Sequence, residues 1–132
     1  MAGDDDIRCV NPEGSAPPGG HYSHAVVAGG FVFVSGQLPV RPDGSHAAQA
    51  DFATQARQTL ANLFAALEAA GTTRNALVKV TVYVTDIADW PLFNTLYAEA
   101  MGDHRPARAV VPVPLLHHGY RIEIEAIALA CG

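Results

Sequence analysis

With 132 residues, 49% of them hydrophobic and 16% charged, the chain has room for one packed domain and is too apolar to be disordered. Its 8 basic and 13 acidic side chains leave a formal charge of −5 with no Lys/Arg block, which argues against a surface built to neutralise nucleic-acid phosphates. So low a charge fraction predicts that part of the surface is covered in an oligomer.

The longest apolar run, Ala126 to Cys131, has six residues, far short of a membrane span. The opening Met1-Ala2-Gly3-Asp4-Asp5-Asp6 lacks the basic and apolar regions of a secretory signal. The two cysteines, Cys9 and Cys131, are too few for a disulfide scaffold and are not spaced as a metal site. A cytoplasmic protein with two reduced thiols is expected.

Residues 1–20 hold Pro12, Pro17, Pro18, Gly14, Gly19 and Gly20 among acids, and read as an irregular lead-in outside the core. The first regular signal is a hairpin. Residues 25–28 and 31–35 are β-prone and flank Gly29-Gly30, which supply the positive φ angles a tight turn needs. Ser35-Gly36 is expected to end the second strand, and Pro39 and Pro42-Asp43-Gly44 mark a loop.

A helix is predicted over residues 51–70, with Phe52, Ala56, Leu60, Leu63, Phe64 and Leu67 inward and Gln55, Arg57, Gln58 and Asn62 largely outward. Residues 78–85 alternate: Val78, Val80, Val82 and Val84 on one face, Lys79, Thr81, Tyr83 and Thr85 on the other. A second helix is predicted from an N-cap at Asp89 to Met101, its apolar face formed by Trp90, Phe93, Leu96, Tyr97 and Ala100. Two strands follow, near 107–113 and 120–129. In the last, Ile122, Ile124, Ala126 and Ala128 share one face, and Glu123, Glu125, Ile127 and Leu129 the other.

The order β-β-α-β-α-β-β defines an α+β fold with both helices on one face of a mixed sheet. The other face carries Tyr83, Glu123, Ile127 and Leu129, too apolar for water, and is expected to pack against further copies of the chain.

Arg108 begins a largely apolar strand with no acid nearby in sequence. A guanidinium there needs a carboxylate, either from the protein or from a ligand. Glu123, between Ile122 and Ile124, is either solvated or paired on a sheet face, or a base. Were their strands adjacent, the two would form a salt bridge or a carboxylate-binding Arg beside a base. Tyr22 and Ser23 form a polar cluster with His21 and His24, which lack a third ligand for a metal. His117-His118 reads as a surface pair. Gly36, after Ser35, permits close backbone approach to a ligand or simply makes a turn. Neither a Gly-x-Ser-x-Gly elbow nor a phosphate-cradling glycine loop is present.

Several of these stretches resemble one known family. They are Gly20-His21-Tyr22-Ser23-His24-Ala25-Val26, Phe33-Val34-Ser35-Gly36-Gln37-Leu38-Pro39, the strand Val78 to Asp86, Arg105-Pro106-Ala107-Arg108, and Ile122-Glu123-Ile124-Glu125-Ala126-Ile127-Ala128. In order and with few gaps, they are similar to the RidA (YjgF) family of reactive enamine/imine deaminases. The resemblance runs from about residue 16 to the C-terminus, which divides the chain into a flexible segment, 1–15, and a domain, 16–132.

The resemblance implies a chorismate-mutase-like fold and a homotrimer. Its three sheets would close a central barrel, with active sites in the clefts between subunits. It implies hydrolysis of 2-aminoacrylate-type enamines and their imine tautomers to 2-keto acids and ammonia, with no cofactor and no metal. Arg108 matches the arginine that grips the substrate carboxylate, and Glu123 the glutamate that orients the attacking water. Tyr22, Ser35 and Gly36 match residues lining the cleft. Many members carry Cys where this chain has Val110, Pro where it has His21, and a Pro-Lys or similar pair where it has His117-His118. These departures bear on the substrate more than on the reaction. The other readings are a pathway-specific relative, a small-molecule-binding trimer, and the family's other label, an endoribonuclease.

Overall fold

A computed structural model describes residues 6–131; the first five residues of the expected lead-in, and Gly132, lie outside it. Six strands form one sheet: β1 (Arg8–Val10), β2 (Ala25–Ala28), β3 (Phe31–Gln37), β4 (Leu77–Val84), β5 (Ala107–Pro112) and β6 (Ile122–Leu129). Helix α1 (Phe52–Ala69) precedes β4, and α2 (Trp90–Met101) joins β4 to β5. The sheet order is β1-β2-β3-β6-β4-β5. Every pairing is antiparallel except β4 with β5, where the intervening helix makes the crossover a parallel pair requires.

The β2–β3 turn is as expected, with Gly29 and Gly30 at φ 59° and 83°. In α1, the Asp51 carboxylate accepts the Thr54 amide (2.8 Å) and Gly71 (φ 83°) follows the last turn. The core lies between the helices and one sheet face. It joins Phe52, Ala56, Leu60, Leu63 and Leu67 of α1 and Phe93, Leu96 and Met101 of α2 to alternate residues of β3, β4 and β6. Ile122, Ile124, Ala126 and Ala128 all face inward.

Five local expectations need correction. Residues 8–10 are not irregular: they pair with Val27, Val26 and Ala25 as an edge strand too short to show periodicity. Gln55 is not outward but 1% exposed, its amide donating to the Ala48 and Ala50 carbonyls (3.3 and 2.9 Å) and its oxygen accepting the Arg121 amide (2.9 Å). Leu77, not Val78, is the first buried residue of β4, because an irregularity between Leu77 and Lys79 turns Val78 outward. Asp89 makes no capping bond. A 3₁₀ turn, Ile87–Asp89, is capped by Asp86 instead, and Asp89 pairs with Arg121 (2.7 Å). Finally, Ser35-Gly36 does not leave the sheet but lies inside β3 at a register shift between Val34 and Gln37.

Candidate active site

The sheet divides the candidate residues into two groups. Because β4 lies between β5 and β6, Arg108 and Glu123 are not on adjacent strands. Arg108 pairs with Val80, whose side chain is buried beneath the helices, and it emerges on that same face. Glu123 pairs with Tyr83 on the opposite, open face. The two residues are two strands apart and three positions out of step, about 10 Å in each direction. One chain does not bring them together.

Arg108 is held by α2. Its guanidinium carbon lies 4.8 Å from the centroids of both Trp90 and Tyr97, and one Nη donates to Asn94 Oδ1 (3.1 Å). Among the described residues no carboxylate pairs with it, whereas Arg121 pairs with Asp89. Most of its donor fork is therefore available, at the edge of a hollow of about 460 Å³ shared with Asn94, His104 and Arg105. Burial pushes the Tyr97 phenol above its ordinary range, and the neighbouring Arg108 charge lowers it in part. Val110, two residues on, packs against the core and lines neither this hollow nor the cavity described next.

On the other side, Glu123 lies against Gly36. A methyl group built on Gly36 would collide with the Glu123 carboxylate, meeting even its Cδ at 3.0 Å. Burial pushes the Glu123 carboxyl above the usual carboxylate range; nearby His117 lowers it in part and Glu125 raises it. Ser35 does not aim a free hydroxyl at Glu123: its Oγ donates to the Ser23 carbonyl (2.6 Å), tying β3 to the start of β2. Tyr22 is half exposed, and its hydroxyl accepts the Gly19 amide (3.3 Å).

Tyr22 and Gly36 also line a cavity of about 410 Å³. Its walls are the segment from Pro12 to Gly19 on one side and Leu38, Val40 and His46 with His118 on the other. His24 is fixed within it: Nε2 donates to the Ala16 carbonyl (2.9 Å), and Nδ1 accepts the Gln37 amide (3.2 Å). His46 stacks on His118 with centroids 3.9 Å apart. Sequence reasoning missed Asn94, His46 and Asn62; each is a single polar residue whose role depends on a partner distant in the chain. Nor does the reading of residues 1–20 as an irregular lead-in assign the segment from Pro12 to Gly19 its place as a cavity wall. Among the described residues, no three His, Cys, Asp or Glu are grouped to hold a metal, and both cysteines are free and exposed. No helix of the described residues is long and apolar enough to cross a membrane.

Comparison with known proteins gives the family. Residues 13–130 match the Endoribonuclease L-PSP family, and the chain belongs to it, in the group that includes RidA and RutC proteins. It is 45% identical over 116 residues to a RutC family protein of Pyrococcus horikoshii, covering 88% of this chain and 92% of that one. It is 42% identical over 113 residues to the 2-iminobutanoate/2-iminopropanoate deaminase of Escherichia coli, covering 83% and 88%. The crystal structure of RidA from an Antarctic Psychrobacter superposes with a TM-score of 0.87 at 34% identity, over 92% of this chain and 98% of that one.

Proposed function

We propose that the protein hydrolyses 2-aminoacrylate-type enamines and their imine tautomers to 2-keto acids and ammonia. The observation that carries this reading is Arg108: a half-buried guanidinium clamped by two rings and an amide, with no carboxylate of its own among the described residues. Such a group is set to take a carboxylate from a ligand, and its planar fork suits bidentate binding. The similarity to a deaminase named for iminobutanoate and iminopropanoate, both carboxylates, supports the same substrate class.

Because one chain holds Arg108 and Glu123 apart, the reading needs a second copy. In a homotrimer with a central barrel, the open sheet faces are covered and Arg108 of one copy is set opposite Glu123, Gly36 and Tyr22 of the next. Arg108 fixes the carboxylate and so places the imine carbon. Protonation at carbon converts enamine to imine. Water held by the Glu123 carboxylate attacks the C=N carbon, Glu123 takes its proton, and the carbinolamine expels ammonia, leaving the 2-keto acid. These steps call on no cofactor. Val110, where many relatives carry Cys, turns its methyl groups to the core and supplies no thiol. The reaction suits the cytoplasm, where pyridoxal-phosphate enzymes release such intermediates. The family's name invokes RNA cleavage, but a net charge of −5 without a basic cluster lends that reading nothing.

The test is a trapping assay. An amino-acid oxidase generates an imine, and semicarbazide reports how much of it survives. The wild-type protein is expected to suppress the semicarbazone, and Arg108→Ala to lower that activity on the order of 100-fold or more with an unchanged thermal midpoint. Equal suppression by both proteins would remove Arg108 from the reaction.

A further inference from the structure

The cavity beside Gly36 is far larger than a three-carbon imino acid requires, and its chemistry is unusual for a site meant for water. None of the described residues that line it is Asp, Glu, Lys or Arg. Its polar groups are largely spent on the protein itself. Both ring nitrogens of His24 are bonded. The Asn62 amide donates to the Leu38 and Val40 carbonyls at 2.9 Å each, and its oxygen accepts from Gln58 (2.9 Å). His46 Nδ1 is engaged by the Tyr120 hydroxyl (2.6 Å). With those hydrogen bonds made, the walls present largely carbon and flat ring faces to whatever enters: the proline rings of one side, and the stacked rings of His46 and His118 of the other.

We propose that this cavity is the side-chain subsite of the Glu123 centre, and that it selects 2-imino acids with bulky uncharged substituents, aromatic or branched aliphatic. The link between subsite and centre is Gly36, which lines the cavity and touches the Glu123 carboxylate. A substrate whose C=N carbon lies at Glu123 directs its substituent past Gly36 and Tyr22 into the opening. A methyl substituent leaves most of the 410 Å³ to water in contact with spent polar groups, whereas a benzyl or isobutyl group displaces that water. A charged substituent meets no Asp, Glu, Lys or Arg among the described residues of the lining. This inference rests on the deaminase reading for its chemistry, though not for the existence of the subsite.

The experiment separates the two. Imines are generated by oxidase from phenylalanine, leucine and alanine, and kcat/KM is obtained by competition with semicarbazide. The wild type is expected to favour the phenylalanine and leucine imines over the alanine imine by about tenfold or more. Val40→Phe narrows the cavity from one wall and Ser15→Phe from the other, outside the core. Each is expected to cut that ratio about tenfold. A preference for the alanine imine, or narrowing variants that leave the ratio unmoved, overturns the proposal. In parallel, calorimetry measures binding of the stable 2-oxo acids phenylpyruvate, 4-methyl-2-oxopentanoate and pyruvate. If no imine of any size is turned over but the larger oxo acids bind about tenfold more tightly than pyruvate and lose that margin in both variants, the deaminase reading falls and the subsite stands. If the oxo acids bind alike, the subsite falls, whatever the enzyme does.

Discussion

Gly36 and the Glu123 carboxylate compete for one volume, and a single methyl group decides which holds it. Gly36 does not have the positive φ that would demand glycine, so the backbone tolerates alanine and only the carboxylate suffers. Gly36→Ala is expected to lower imine turnover about 10- to 100-fold while circular dichroism and the thermal midpoint stay near wild type. A fully active Gly36→Ala would show that the Glu123 position is immaterial. The Glu123 carboxyl itself, raised by burial, makes a prediction about stability. A raised carboxyl means the folded state holds its proton more tightly than the unfolded chain does. Ionised Glu123 therefore opposes folding at pH values above its raised pKa, and the opposition fades as pH falls through that value towards the ordinary carboxylate range. Glu123→Gln should melt higher than wild type at pH 7, with the two melting together by pH ~3, where the carboxyl is protonated in both states. Loss of turnover accompanied by that gain in stability is the mark of a carboxylate kept for chemistry. Calorimetric melts at the two pH values decide it, and a Glu123→Gln protein that melts lower at pH 7 contradicts the argument.

At the scale of elements, the places where periodicity misled are those where a residue answers to a distant partner. The helix period of α1 and the alternation of β6 were legible because each follows from the repeat of the element itself. Gln55 broke the pattern because it serves three backbone groups, at Ala48, Ala50 and Arg121, that α1 carries no signal of. Gln55→Leu fits the same space and leaves all three unpaired. We expect a loss of about 2–4 kcal/mol in urea unfolding, well beyond a surface change. The irregularities in β3 and β4 were equally illegible. Each inserts a residue without altering composition, and each changes which side chains face the core. For the candidate site, the sequence showed the residue types and their family pattern, but not that the sheet would place Arg108 and Glu123 on opposite faces. That depends on strand order, which local patterning does not encode. Strand β1 matters for the same reason. Three ladder pairings anchor the chain ahead of Pro12, and so hold the proline-rich segment as one wall of the cavity.

For the whole molecule, the open sheet face is the dominant feature. Phe31, Phe33 and Leu129 are each 39–50% exposed and share that face with Tyr83, Ile127 and both glutamates of β6. Tyr83 donates a hydrogen bond to Glu125, which joins β4 and β6 across it. A monomer carrying this much apolar surface calls for association, and a closed symmetric arrangement satisfies every copy alike. The separation of Arg108 from Glu123 then has a genetic meaning. If each reaction centre takes its arginine from one copy and its glutamate from the next, neither single mutant can work alone, yet the two can repair each other. Arg108→Ala and Glu123→Ala chains, each inert, should regain about a quarter of wild-type turnover when unfolded together and refolded in equal amounts, the share of centres that draw an intact residue from each side. Mixtures that stay inert would mean that a single chain must supply both residues. The same bookkeeping holds in a cell expressing two alleles: an inactive chain would spoil centres it shares with a sound one, and two differently damaged alleles would together do better than either.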